Sequence, residues 1–233
     1  MIHAHDLPRM LQRGLTTLLD ITVKDDDGSA LVPAAAKITV YKGDSTTPVV
    51  DDAAATPGAT STYSLADTLT ADESLSTEWQ EVWTLTIAGS EHVIQRSIYL
   101  CRYVPRPVID DTDLEAYHSD ILDHIDPGET TLQKQREKAW SYLQKRLIRD
   151  GRRPELVLDN WELADAHAFK TLEIFFRDSA QSVGDERWKE LRDEYAELFK
   201  SEWNDINFHY DADEDGRIDD DEGSSAVSTV WLC

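Results

Sequence analysis

One stretch near the C-terminus has residue types and spacing suited to a definite chemistry. Asp211, Asp213 and Asp215 place carboxylates at the first, third and fifth positions of a twelve-residue segment that Glu222 closes. Gly216 stands sixth, where such a loop turns sharply, and Ile218 stands eighth as an apolar anchor. The Arg217 carbonyl would serve at position seven, and Asp219 at position nine through a water. This is the spacing of an EF-hand calcium loop. Ca2+ takes about seven hard oxygens at roughly 2.3–2.6 Å, and alternate residues of a tight turn deliver them. Abundant acid explains carboxylates in a chain with 46 Asp and Glu, but it does not explain Gly216 and Ile218. Gly223-Ser224-Ser225 does not begin an exiting helix, and no second loop pairs with this one. The expectation is therefore a structural Ca2+ clip and not an opening switch.

Other candidate sites are weaker. His3, His5 and Asp6 are metal-ligand types near a terminus, where mobile histidines are the plainer reading. His167 lies on an apolar helical stripe, which suits a core position better than a catalytic one. The chain has neither a phosphate-binding Gly-rich loop nor an HExxH pair, and Asp, Glu and Ser are too common for a triad to be argued from presence alone. The expectation is that the protein is not an enzyme.

Charge gives the second lead. The formal net charge is -23. That argues against free nucleic-acid binding, which needs a positive face. It suits a particle component, a partner with a basic face or divalent cations, and salt adaptation is another source of such acidity. Against this background residues 134–153 stand out. Lys134, Arg136, Lys138, Lys145, Arg146, Arg149, Arg152 and Arg153 face only Glu137 and Asp150 there. Three readings stay open: a solvated helix face, a seam against a neighbouring acidic surface, or exposure to DNA. At the C-terminus Val227, Val230, Trp231 and Leu232 are too apolar to sit free beside the acidic loop, and are expected to dock on a partner.

These features need elements to position them. Residues 1–104 read as β. Leu19, Ile21 and Val23 alternate with Asp20, Thr22 and Lys24, and Asp25-Asp26-Asp27-Gly28 makes a turn. Ile38 and Val40 alternate in a second strand, and residues 43–60 read as loose. Residues 81–87 and 92–100 form two further β-rich runs joined by a loop at 88–91. The expectation is a small antiparallel sandwich of immunoglobulin-like kind. Pro105 and Pro107 then break the pattern, which places a boundary there.

Residues 105–210 read as a bundle of about four helices, so the fold class is α+β with an extended tail at 211–233. Thr112 with Glu115 offers a capping box for a short helix running to about Leu122. Thr130 or Thr131 caps a second helix ending near Asp150-Gly151, with Leu132, Ala139, Trp140, Leu143 and Leu147 as its apolar stripe. Asp159 or Asn160 opens a third, carrying Leu163, Ala164, His167, Ala168, Leu172, Phe175 and Phe176. Gly184-Asp185 opens a fourth, with Trp188, Leu191, Tyr195, Leu198, Phe199 and Trp203. No run of 18–20 apolar residues spans a membrane, and the first fifteen residues hold no signal-peptide core. A soluble, cytoplasmic chain is expected. Cys101 and Cys233 are too few for a disulfide scaffold.

The segment Val108-Ile-Asp-Asp-Thr-Asp-Leu-Glu-Ala-Tyr117, followed by longer helices, resembles the opening helix and bundle of tailed-bacteriophage head–tail connector proteins. These adaptor or head-completion proteins join the capsid portal to the tail. The likeness covers mainly 108–210 and rests on helix pattern and order. It implies a virion neck subunit assembled in the host cytoplasm, in a ring commonly of twelve. It also implies contacts to the portal and to a tail or stopper protein, with DNA passing through the channel. The C-terminal extension resembles those that dock on the portal, and the β domain resembles an added decoration. A basic helix and an acidic tail on one chain suit head-to-tail contacts, which close into rings. The rival class is a calcium-binding β-sandwich adhesion or scaffold-binding module.

Overall fold

The computed structural model describes residues 7–43, 45–125, 128–157, 161–183 and 186–206. The expected calcium loop at 211–222, the apolar tail at 227–232, the N-terminal His3, His5 and Asp6, and the expected helix starts at Asp159, Asn160, Gly184 and Asp185 lie outside the described residues. Among the described residues the architecture is mixed α+β, with several sheets and four α-helices. It divides into two compact units, Met1–Val104 and Pro105–Cys233.

The first unit contains β1 (Arg9–Gln12), β2 (Thr17–Ile21), β3 (Val23–Lys24), β4 (Ala30–Leu31), β5 (Ala35–Tyr41), β6 (Val50–Ala55), β7 (Ser61–Leu65), β8 (Ser76–Ile87) and β9 (Ser90–Cys101). Five strands form one sheet in the order β1-β9-β8-β5-β6, while β2 pairs with β7 and β3 with β4. All pairings are antiparallel except β1 with β9, which is parallel. The period-two alternation works as physics requires. Leu19, Ile21 and Val23 point inward and join Ile38, Val40, Trp79, Trp83, Leu85, Ile98 and Leu100 in one core.

Two details differ from the sequence reading. Strands β8 and β9 run further than the expected 81–87 and 92–100, so only Ala88 and Gly89 form the turn between them. Both have positive φ, 50° and 82°, as the type I′ turn requires to match strand twist. The stretch 43–60 is not wholly loose, because it holds β6. Val50 is buried there, and Ala53 and Ala55 pack on the core, while Asp51 and Asp52 are exposed. A bulge in β6, where Asp51 and Asp52 lie opposite Thr39 of β5 and Asp52 has φ 42°, accommodates the acidic pair at the sheet edge.

A charged knot sits on the inward row of this unit. Glu81 lies in line with Trp79 and Trp83 and is fully buried. Arg9 Nε donates to its Oε1 at 3.1 Å, and Arg9 Nη1 reaches Asp20 of β2 at 2.7 Å. Arg9 thus links the parallel strand β1 to both sheets. Arg96, directly opposite Glu81 on β9, lies 3.8 Å from the same carboxylate and donates to the Leu7 carbonyl. Burial and the nearby Arg9 cation hold the Arg96 guanidinium below its ordinary pKa.

The second unit contains α1 (Asp111–Tyr117), α2 (Gln133–Arg149), α3 (Ala164–Val183) and α4 (Glu186–Asp205), with 3-10 turns at Ile121–His124, Pro154–Leu156 and Trp161–Leu163. Asp110, not Thr112, caps α1. Its carboxylate accepts from the Thr112 and Asp113 amides, and Asp113 accepts from the Asp110 amide. A capping box needs only short acceptors three residues apart, and the pair 110/113 satisfies it one turn before the apolar contact of Leu114. Helix α1 ends at Tyr117, and a 3-10 turn carries the chain on to His124, so the single helix expected to Leu122 is broken in two.

Helix α3 packs against both α2 and α4. Phe176 stacks with Trp188 and Tyr195 at ring-centroid distances of 5.5 Å. Leu198, expected in the stripe of α4, is 39% exposed instead. No helix among the described residues is long and apolar enough to cross a membrane.

Candidate partner-binding surface

Helix α2 owes its two faces to its own spacing. Ala139, Trp140, Leu143 and Leu147 are buried, while Lys134, Glu137, Lys138, Lys145 and Arg149 remain exposed on the far side. Both ends are pinned. At the N-terminal end the Asp111 carboxylate accepts from Thr131 Oγ1 at 2.5 Å, from Arg136 Nε at 2.9 Å and from the Leu132 amide at 3.3 Å. Arg136 also donates to the Ile109 carbonyl, which ties the α1 entry to α2. At the C-terminal end Gly151, φ 70°, closes a Schellman motif: the Arg152 amide donates to the Leu147 carbonyl and the Gly151 amide to Ile148.

Asp150 is the hub of that end. Trp203 Nε1 donates to it at 2.9 Å from α4, and Arg146 and Arg149 donate at 3.2 Å from α2. Burial alone would raise this carboxyl, but the Trp203 and arginine hydrogen bonds outweigh it and hold its pKa below the ordinary value.

The eight cations do not act as one patch. Arg136 is consumed by Asp111. Arg146 faces inward, paired with Asp150, its guanidinium 4.9 Å from the Trp203 ring and 5.3 Å from the Phe199 ring. Lys134 pairs with Glu129, Lys138 with Asp178 at 3.2 Å, and Arg153 with the buried Glu155 at 2.9 Å. Arg152 is half-buried. Lys145 is exposed and has no ion-pair partner among the described residues, and Arg149 shares Asp150 while remaining 67% exposed. The free positive charge is thus concentrated at the C-terminal half of α2. Near its start two open surface hollows of about 350 and 480 Å³ adjoin across Lys134 and Glu137. This face can hold carboxylates or other anions through several weak, screened contacts.

Sequence reasoning missed two polar nodes. Asp120 lies 3.1 Å from His118 Nε2 and 3.2 Å from His124 Nε2, while His118 Nδ1 meets the Tyr195 hydroxyl at 3.1 Å. The His124 hydrogen bond and the adjacent imidazoles hold the Asp120 carboxyl below its ordinary value. Burial pushes the Tyr195 hydroxyl up to about 12. Asp120 and His124 are four apart and His118 and Asp120 two apart, so no single period unites the three, and the 3-10 turn at Ile121–His124 brings them together. The other node is the Glu81 knot, hidden because a carboxylate at an inward strand position contradicts the polarity pattern. His167 is fully buried. Its Nε2 lies 2.9 Å from the Arg136 carbonyl, and burial with the neighbouring Arg136 cation lowers its pKa. Among the described residues no group of three or more His, Cys, Asp or Glu could hold a metal ion.

Neither a protein-family model nor a curated protein matches this chain.

Proposed function

We propose that this chain is a structural subunit of a tailed-phage neck, a head–tail connector that forms a ring between the capsid portal and the tail. The observation that carries this reading is the build of the helical unit. A short capped helix, Asp111–Tyr117, is clipped through Asp111 to the start of the next helix, and three longer helices follow. That order resembles the connector bundle. The pinned α2, with free cations at one end on a chain of net charge -23, suits contacts between unlike faces of successive subunits.

The first unit is read as an immunoglobulin-like decoration. Supporting this are the sheet order β1-β9-β8-β5-β6, the separate β2-β7 pair that shares its core, and the first strand lying parallel beside the last. In the same reading residues 211–222 bind Ca2+ through Asp211, Asp213, Asp215, the Arg217 carbonyl, Asp219 and Glu222. Val227, Val230, Trp231 and Leu232 then dock on the portal.

Electron microscopy of the purified protein, alone and mixed with the portal, tests the assignment. Rings with a central channel, free or seated on the portal, are the expected result. A chain that stays monomeric and leaves the portal bare overturns it and favours the calcium-binding module.

A further inference from the structure

The described chain ends beside the most cationic end of α2. Trp203 is hydrogen-bonded to Asp150, and Ile206, the last described residue, is buried. The described chain therefore ends next to the C-terminal end of α2, where Lys145 and Arg149 are exposed. The sequence that follows carries eight carboxylates and one arginine between 211 and 222.

We propose that, in the Ca2+-free chain, the acidic segment 207–222 docks on its own α2 at the exposed Lys145 and Arg149 and covers that end of the helix until a partner displaces it. Reach permits this. Sixteen residues extend up to about 50 Å at roughly 3.3 Å each, whereas a 17-residue helix is about 25 Å long. The segment can thus run back along α2 from Arg149 to Lys134. A single exposed ion pair contributes little, so the contact needs several carboxylates at once, and the segment supplies them. Tethering favours the chain's own segment over another copy's. A short flexible link gives an effective concentration in the millimolar range, while free copies carrying -23 repel one another at low salt. The contact does not rest on the neck assignment, because it is a property of the free subunit.

The test is zero-length carbodiimide cross-linking of the full chain at low salt, using an equal mixture of 15N-labelled and unlabelled protein. Linkages should join Lys145, and to a lesser degree Lys138 and Lys134, to carboxylates of 211–222, within a single isotopic population. They should fall about fivefold in Arg149→Ser/Arg152→Ser and disappear at about 0.5 M NaCl. Acetylation of Lys145 should quicken about threefold when 207–233 is removed. Linkages mainly between isotopic populations would overturn the proposal in favour of a neighbouring copy. Linkage to Lys24, Lys37 or Lys42 as often as to Lys145 would overturn it as unspecific contact, and so would unlinked protein with unchanged acetylation. None of these outcomes bears on whether the protein forms rings on a portal.

Discussion

Replacing Arg9 with methionine should be among the most damaging single changes in the first unit. Arg9 is only 11% exposed and joins Glu81, which is fully buried, to Asp20 across the two sheets. Methionine keeps the apolar stem and removes the cation. Glu81 would then depend on Arg96 at 3.8 Å, and its Oε2 already has no hydrogen-bond partner among the described residues. Breaking a buried pair by removing one partner costs about 3–5 kcal/mol. Arg96 offsets part of this, and Asp20 is half-exposed and adds little, so about 3 kcal/mol is expected. Cys101 provides the assay. It is buried at the end of β9, opposite Gln12 of the strand that carries Arg9. In a Cys233→Ser background its reaction with a thiol reagent reports opening of this unit. A loss of about 3 kcal/mol raises the opening constant roughly a hundredfold. Adding Glu81→Leu to Arg9→Met should recover most of the loss, because the orphaned charge is removed. Lys37→Met, which breaks an exposed pair with Asp52, should leave the rate unchanged. If Arg9→Met alters thiol reactivity by less than about threefold, the desolvation argument fails.

Ala88 occupies a left-handed turn position that favours Asn or Gly, so Ala88→Asn should stabilise the first unit by about 1 kcal/mol, measured by the same thiol reaction. Trp203→Phe keeps the aromatic packing but removes the donor to Asp150. It should lower the stability of the helical unit by about 1–2 kcal/mol, read from the urea midpoint of its helical circular dichroism. His167 has a folded pKa below its ordinary 6.5, so the unfolded chain takes up the proton first. Its contribution is full above about pH 6.5 and is lost as pH falls toward the folded value. His167→Gln should therefore flatten the fall in the urea midpoint between about pH 7 and pH 5.5, and an unchanged slope would assign it to other groups. Calorimetry on the full chain should detect Ca2+ binding that Asp215→Asn weakens at least about tenfold, whereas equal binding by both proteins would remove the loop assignment.

Local periodicity carried much of the architecture. Leu19, Ile21 and Val23 announce an inward strand face, and Trp140, Leu143 and Leu147 an inward helix face, because burial repeats at the period of each element. What escaped depends on long-range pairing or on competition between equivalent short acceptors. Nothing local marks β1 as the parallel neighbour of β9, since the hydrogen bonds that define it come from residues about ninety positions away. Strand β6 reads as loose because its Asp51 and Asp52 suit a turn, and only the bulge opposite β5 makes room for them. Asp110 and Thr112 are both good caps, and the choice fell to Asp110 because Asp113, not Glu115, can return the hydrogen bond. Eight cations in twenty residues left a solvated face, a subunit seam and exposure to DNA all open. Folding pairs most of them with Asp111, Asp150, Asp178, Glu129 and Glu155, and of these only Asp150, four residues after Arg146, could be matched to a partner from the helical period.

That division of labour explains why α2 suits recognition in a strongly acidic chain. Arg136 and Arg146 are spent inside the unit, where they fix both ends of the helix against α1 and α4. Charge reversal at Arg146 would therefore disturb the fold before it tested any partner contact. Lys145 and Arg149 are different: they stand in solvent on a helix held at both ends, so little ordering remains to oppose binding there. Their field is short-ranged in salt, and the chain as a whole carries a net charge of -23. An anionic partner that approaches at random is repelled until it meets this end of α2, which gives selectivity by position. Under the proposal above, the chain's own acidic segment competes for the same place. A partner must then exceed a tethered competitor, and mutation of Lys145 and Arg149 would weaken both contacts together, whereas removal of 207–222 would strengthen the partner's alone.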